Sequence, residues 1–437
     1  MGLISRLAAS AEVPVFPVVG VGGRSAARSL VSLPGIRVVA HPRAAAVLLI
    51  VGRPTRALLR PLLVVHDQLP APRATVWWPV GAGGGELVAA LPAVEVVAAD
   101  DPFALRQVFA DLVRGARASD PPALDDIERQ PWRGVGPYGQ GGSGMTGGVP
   151  FGRPLPTRAK DPDGLELDQL RLQVGPLFAP CPPGLVLHLQ IQGDVVRSAS
   201  VGDNPFTRWP GEAPLGPFDT EVFFKAIAEP VPIATLEVAR ARHHLRWVSD
   251  ALCLHGLPAR GRGLAALAER VVPQDAELVA RVARRLGRDR GLASVMRGLG
   301  VVERGRHGPP PGVVARAADL AEDARLGDEA YLPLGFEAVT QEGGDAWARF
   351  RQRLDEASQA LRLAACAGDR IRPPGPGVEG PRGALSGATP TPSRQLLGIL
   401  PDLLVGQEWG DALTVITSLD LDVEEAALEA AAEVSPA

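Results

Sequence analysis

Apolar positions near the start of the chain fall into short aliphatic runs: Val13–Val21 (VPVFPVVGV), Ala45–Val51 (AAVLLIV), Ala74–Val80 (ATVWWPV) and Val94–Ala98. Ala45–Val51 is apolar without a break, the pattern of a strand covered on both faces. Between these runs, Arg24–Leu33 and Arg56–Gln68 space their apolar residues for helices, and Pro102–Arg117 reads as a closing helix with proline in its first turn. Strand–helix alternation with short connections predicts a parallel sheet between helices. Residues 1–117 are therefore expected to form an α/β, flavodoxin-like, doubly wound unit.

Residues 118–165 break the pattern with Pro121-Pro122 and the glycine-rich run from Gly134 to Pro156. A stretch so poor in apolar anchors reads as a linker. Residues 166–437 form a second, mainly helical unit that opens with a small β element. Leu167–Val174 and Gly184–Val196 read as paired strands, with Gly193-Asp194 as a tight turn. Ile233–His255, Leu264–Leu286 and Asp345–Ala367 follow with helical periodicity, and a last helix is expected from Gln395 to about Leu404.

Composition narrows the function classes. With 46% hydrophobic and 22% charged residues in 437, the chain has material for a core and is not intrinsically disordered. A net charge of −4 speaks against a dedicated nucleic-acid binder. Three cysteines, Cys181, Cys253 and Cys366, are too few and scattered for a disulfide framework. Neither a secretory leader nor a run of about 18 apolar residues is visible, so a cytoplasmic chain without a membrane span is expected.

Few residue patterns offer chemistry. The cluster Gly20-Val21-Gly22-Gly23 after the first strand resembles a phosphate-cradling turn, but Ser25 stands where a third glycine belongs, so a tight turn is the better reading. His243 and His244 are adjacent on a helix and diverge by about 100°, which rules out joint chelation of one ion and leaves solvated or core histidines. Cys181, between prolines, has no base beside it. The charges of Asp345–Glu356 read as a solvated helix face. Asp420, Asp422, Glu424 and Glu425 lack the loop spacing of an EF-hand.

Residues in collinear order carry a family resemblance. Asp67-Gln68-Leu69-Pro70-Ala71-Pro72-Arg73, after the strand Ala45–Val51, resembles the DQMPEPR segment of the small iron–sulfur subunit of respiratory complex I and membrane-bound hydrogenases. Gly175-Pro176, Gly193-Asp194-Val195-Val196, Val295–Gly300, Gly344–Arg353, Glu379-Gly380-Pro381-Arg382-Gly383 and Ser418-Leu419-Asp420 are similar to stretches of the partner large subunit, which holds the quinone site or the NiFe centre. The resemblance implies a fusion of the two subunits, with Arg73, Asp194, Arg349, Glu379, Arg382 and Asp420 as family-matched structural positions. It also implies that Gly175, Pro176, Phe178, Pro180, Cys181 and Gly184 stand in the quinone loop or a docking loop.

Departures from the family are as informative. Its small subunit ligates a four-iron cluster through four cysteines, matching positions near Gly22–Arg24, Gly81–Gly83 and Asp100-Asp101, yet no cysteine precedes Cys181. The two CxxC pairs of a NiFe site are missing, and Leu177-Phe178-Ala179-Pro180 stands where complex I carries its loop histidines. The expectation is a chain with neither iron–sulfur cluster nor NiFe site and no cofactor of its own. It would be an accessory peripheral subunit of a complex I-like NADH:quinone oxidoreductase or hydrogenase-type assembly, not catalytic alone. Its partners would be membrane subunits at the cytoplasmic face of the membrane, reached through an exposed apolar loop at Phe178, with no nucleic acid. Two alternatives are a quinone- or nucleotide-binding electron-transfer component using a partner's cofactor, and a free scaffold.

Overall fold

The structure, a computed structural model, describes residues 10–80, 83–97, 101–125, 156–160, 164–208, 215–216, 218–302, 309–387 and 389–428. The first unit runs β1 (Val13–Val19), α1 (Arg24–Ser29), β2 (Ile36–Val38), β3 (Val47–Val51), α2 (Arg56–Gln68), β4 (Ala74–Trp78), α3 (Gly85–Val88), β5 (Glu95–Val96) and α4 (Pro102–Arg114). All five strands are parallel, in the order β2-β1-β3-β4-β5. Every residue of β3 and β4 is buried, as the unbroken apolar run predicts for β3; β4 buries Thr75 among its apolar residues. One sheet face, with Val15, Leu49 and Val76, packs on Leu105, Val108 and Leu112 of α4. The other, with Phe16, Leu48 and Ile50, packs on Leu62 and Val65 of α2. β2 is the strand the periodicity misses, because three residues at a sheet edge leave no pattern.

Both ends of the 118–165 segment belong to folded units, while 126–155 and 161–163 lie outside the described residues. Asp120 accepts from the backbone N–H of Thr75 at 2.6 Å, and Asp67 accepts from those of Ala123 and Leu124, both at 2.9 Å. At the other end, β6 (Thr157–Lys160) is the outer strand of an antiparallel sheet with β7 (Glu166–Val174), β8 (Leu187–Gln192) and β9 (Val195–Val201). Leu187, Leu189 and Ile191 point into the core with His188 outward, the period-two alternation of a half-covered sheet.

The rest is mainly helical: α5 (Glu221–Ala228), β10 (Val231–Pro232), α6 (Ile233–Leu254), α7 (Pro258–Arg270), α8 (Ala276–Leu286), α9 (Arg290–Met296), α10 (Gly312–Ala317) and α11 (Ala346–Ala367). Short strands β11 (Ile371–Arg372), β12 (Gly377–Glu379) and β13 (Ala384–Ser386) lead to α12 (Pro392–Leu404), α13 (Trp409–Leu419) and α14 (Val423–Ala426). The single helix expected over Leu264–Leu286 is two, α7 and α8, because Pro273 cannot continue a helix and Val271-Val272 turn extended. α6 and α11 pack lengthwise around Leu245, Val248, Phe350, Leu354 and Leu361. A second core joins the units: Val21 and Leu58 of the first share it with Leu185, Leu187, Leu421 and Val423 of the second. Among the described residues no helix is long and apolar enough to cross a membrane.

Candidate functional site

The turn after β1 is the place to begin, since a phosphate or a cluster would occupy it. It is closed by its neighbours. Val21 and Arg53 exchange backbone hydrogen bonds of 2.7 and 2.9 Å, and Gly20 N–H donates to Val51 O at 2.8 Å. A Cβ on Gly23 would stand 2.0 Å from Val51 O, so no side chain fits there. One on Gly84 would meet the Arg53 side chain at 2.8 Å. The free amide of the turn, Gly22 N–H, reaches both carboxylate oxygens of Glu424 at 3.1 Å, and Gly216 N–H donates to the same group at 2.8 Å. A carboxyl from the far end of the chain thus fills the anion seat of the turn.

Glu424 belongs to a buried lattice of charge. Arg24, the first residue of α1, donates to Leu421 O at 2.8 Å and lies 3.1 Å from Asp422 and 3.5 Å from Asp420. Arg28, one turn on, pairs with Asp219 at 2.9 Å. Arg382 reaches Glu425 at 3.1 Å, Asp219 at 3.3 Å and Asp422 at 3.3 Å, and donates to Asp420 O at 2.9 Å. Arg353 of α11 lies 3.4 Å from Asp420, and His243 of α6 is 2.6 Å from the same carboxylate.

A second lattice adjoins it. Arg316 pairs with Glu356 at 2.7 Å, Glu379 at 2.9 Å and Asp323 at 3.2 Å. Glu237 accepts from the Tyr331 hydroxyl at 2.7 Å and pairs with Arg325 at 3.1 Å and Arg240 at 3.3 Å. His244 stands 3.1 Å from Glu356. The adjacent histidines of α6 thus face different lattices, joined by Arg353, whose Nη1 is 3.5 Å from His244 Nδ1.

Protonation follows from burial and these neighbours. Burial pushes His243 down to about 3 and His244 to about 4, so both are neutral at pH 7, and His243 Nε2–H donates to Asp420. Against the cost of its own burial, Arg382, then His243, holds Asp420 well below the usual carboxylate range. Burial, reinforced by the Asp422 charge, pushes Glu424 up to about 8 and Glu425 up to about 7. The physical reason is stoichiometric: Arg24, Arg28, Arg353 and Arg382 face six carboxyls, Asp219, Asp250, Asp420, Asp422, Glu424 and Glu425, and a low-dielectric site keeps protons on the excess.

Of the residues the sequence singles out, the structure brings Glu379, Arg382 and Asp420 into the lattices, with Arg349 beside them, donating to Ser418 Oγ at 2.8 Å and Gly344 O at 2.7 Å. The acids 420–425 are paired to arginines: Arg24 reaches Asp422 and Arg382 reaches Glu425. The supposedly solvated charges of α11 are a correction: Arg349, Arg353 and Glu356 are at most 1% exposed, since α11 is enclosed by α6, α8 and α10 and its charges pair inside. His243 and His244 are core histidines, as read, each on a carboxylate.

Arg73 serves elsewhere, donating to Leu69 O at 3.0 Å and reaching Asp67 at 3.3 Å. Asp194 sits at the exposed β8–β9 turn, where its carbonyl accepts from Trp409 N–H at 2.8 Å. The Gly175–Gly184 loop is packed rather than exposed. A Cβ on Gly175 would stand 1.8 Å from Leu185 O, and one on Gly184 would strike the Phe206 ring at 2.3 Å. Pro180 is half-buried, while Phe178 lies 6.2 Å from the Trp409 ring within the shared core. The loop closes by bonds of Gly184 N–H to Pro176 O and Cys181 N–H to Phe178 O. Sequence reasoning missed Arg24, Arg28, Asp219, Glu237, Arg240 and Arg316, which share no local motif.

Cys181 is buried, and burial pushes its thiol up to about 12, whereas Cys253 and Cys366 are exposed. Alkylation of the native protein at pH 8 followed by mass spectrometry is expected to label Cys366 within minutes, Cys253 more slowly because partial burial and Asp250 push its thiol up, and Cys181 only after unfolding. Labelling of Cys181 at a comparable rate would mean that its loop opens.

No family model matches the chain, and no curated protein matches it. Among solved structures 95 chains are similar. One belongs to the membrane-bound sulfane sulfur reductase, an archaeal respiratory membrane complex: it is 19% identical, with a TM-score of 0.44, over 59% of this chain and 98% of that one.

Proposed function

We propose that the chain is a non-redox, accessory subunit of a complex I-like membrane-bound respiratory assembly, in which a fused small/large pair keeps its architecture while ion-paired side chains replace its metal chemistry. The parallel order 2-1-3-4-5 supports reading the first unit as flavodoxin-like. The reading rests chiefly on the β1 turn, where Glu424 takes the amide of Gly22 and the close backbone of Val51 excludes a side chain from position 23. Cluster ligation needs thiolates, and the first unit has none. In this role the lattices fix the angle between the units, and the assembled surface is what the partner subunits recognise.

Two measurements test the proposal. The purified chain is expected to be colourless and to contain no stoichiometric iron or nickel; roughly four irons per chain with broad absorbance near 400 nm would overturn the non-redox part. Expressed at native level with an affinity tag and solubilised in mild detergent, it is expected to co-purify with membrane-spanning subunits. Recovery of the chain alone from cells that make those subunits would overturn the accessory part in favour of a free scaffold.

A further inference from the structure

α8 buries Val279, Ala283 and Leu286 against α11. Its opposite side carries Arg281, Arg284 and Arg285, with Arg288 just past its end and Arg290 opening α9; all five are exposed. Positions 281, 284 and 285 are spaced i, i+3 and i+4 and share one face of α8, with Arg288 in the turn that follows. Among the described residues none of the five is in an ion pair, in a chain whose net charge is −4. Two acids lie nearby. Asp289 is committed to the Gly291 and Leu292 amides, at 3.0 and 3.2 Å, and to Arg260, at 3.1 Å. Glu277 sits at the start of the stripe, beside the helix N-terminus, where a carboxylate is favoured.

Five arginines without partners, unlike those of the lattices, are a surface for an anionic partner. We infer that this stripe docks on the phosphates of an anionic phospholipid surface. Guanidinium forks bind phosphodiesters through paired hydrogen bonds, which an ammonium cannot do. The apolar residues set among the arginines are aliphatic: Leu278 on the stripe is 37% exposed and Val295 on α9 is 45% exposed. Aliphatic side chains between basic ones suit the boundary between headgroup and acyl chain. Single-stranded nucleic acid is a poorer fit, because no aromatic side chain stands on the stripe for a base to stack on.

The full-length chain can be tested alone by co-sedimentation with vesicles of phosphatidylglycerol and phosphatidylcholine, or of phosphatidylcholine only. Binding is expected to the anionic vesicles, to weaken steeply with salt, and to survive millimolar inorganic phosphate. The triple variant Arg281→Gln, Arg284→Gln, Arg285→Gln is expected to lower partition on the order of 100-fold, at roughly five-fold per charge. A charge-matched control, Arg114→Gln, Arg362→Gln, Arg370→Gln, at exposed sites elsewhere, is expected to bind like the parent. Circular dichroism and melting of both variants establish that they are folded. Equal binding to neutral vesicles, no binding to either, or undiminished binding of the stripe variant would overturn the inference. So would arginine-dependent binding to DNA without binding to vesicles. None of these outcomes touches the non-redox reading, because the experiment contains no partner subunit and measures no metal.

Discussion

Replacing Arg382 with methionine is expected to destabilise the protein by about 3–5 kcal/mol, the range for removing one partner from a buried ionic network. Arg382 is 3% exposed and contacts four acidic residues: Asp219, Asp420, Asp422 and Glu425. Without the guanidinium, the carboxylates of Asp219 and Asp420 remain buried beside fewer cations and must either take up protons or admit water. Lysine is expected to rescue little, because one ammonium cannot satisfy acceptors spread around a planar fork. Urea denaturation at pH 7 measures the effect, with Arg114→Gln, on an exposed helix end, as the reference expected within about 0.5 kcal/mol of the parent. Adding Glu425→Gln to the methionine variant is expected to recover part of the loss, since it removes one of the stranded acids. A loss below about 1 kcal/mol in the single variant would mean that the lattice is hydrated and that other contacts hold the two units together.

The sheet of the first unit was legible because burial on both faces leaves a mark that short windows detect: Val47–Val51 is apolar throughout, and Ala74–Trp78 is apolar but for Thr75. The charge lattices were not, for a reason visible in two helices. Arg349, Gln352 and Arg353 on α11 have the same i, i+3, i+4 spacing as Arg281, Arg284 and Arg285 on α8. The first set is buried and the second is exposed. Spacing reports that residues share a face, not what covers it. The distinguishing signal lay on the remaining faces: α11 also carries Trp347, Phe350, Leu354, Ala357 and Leu361, apolar on too many sides for a surface helix, whereas α8 keeps a single apolar edge of Val279, Ala283 and Leu286.

Partners distant in sequence supply the rest of the site. Gly22 and Glu424 are 402 residues apart, and Arg28 and Asp219 are 191 apart. No local pattern pairs them; the packing of the first unit on α14 and on the segment before α5 makes them neighbours. Glu379, Arg382 and Asp420 stand out in the sequence without that information, but as positions and not as partners. Their common feature, a charged side chain needed in a closed interior, emerged only when the arginines facing them were in view.

Stability is expected to fall as the pH rises from about 6.5 to about 8, and replacing Glu424 with glutamine is expected to remove much of that slope; below about 6.5, His243 and His244, held neutral by burial, raise stability with pH and offset it. The sign follows from where the proton is held. Glu424 is ordinarily half-ionised near 4.5 and is pushed up to about 8 in the folded chain, first by burial and then by Asp422. Glu425 is pushed up to about 7 by the same burial. Between those values these two groups hold protons in the folded state that the unfolded state has released, so their contribution decreases with pH; it is fully present below about 4.5 and lost by about 8. At roughly 1.4 kcal/mol per pH unit, Glu424 alone contributes a slope of several kcal/mol across the window. Glutamine is uncharged at every pH and keeps an oxygen for the Gly22 and Gly216 amides, so the variant retains the contacts and loses the titration. Calorimetric melting between pH 6.5 and 8 is expected to show the parent falling by a few degrees and the variant falling markedly less. Identical slopes would show that Glu424 is ionised throughout. The Gly22 turn would then hold a permanent anion, and the protons of the lattice would reside on Glu425.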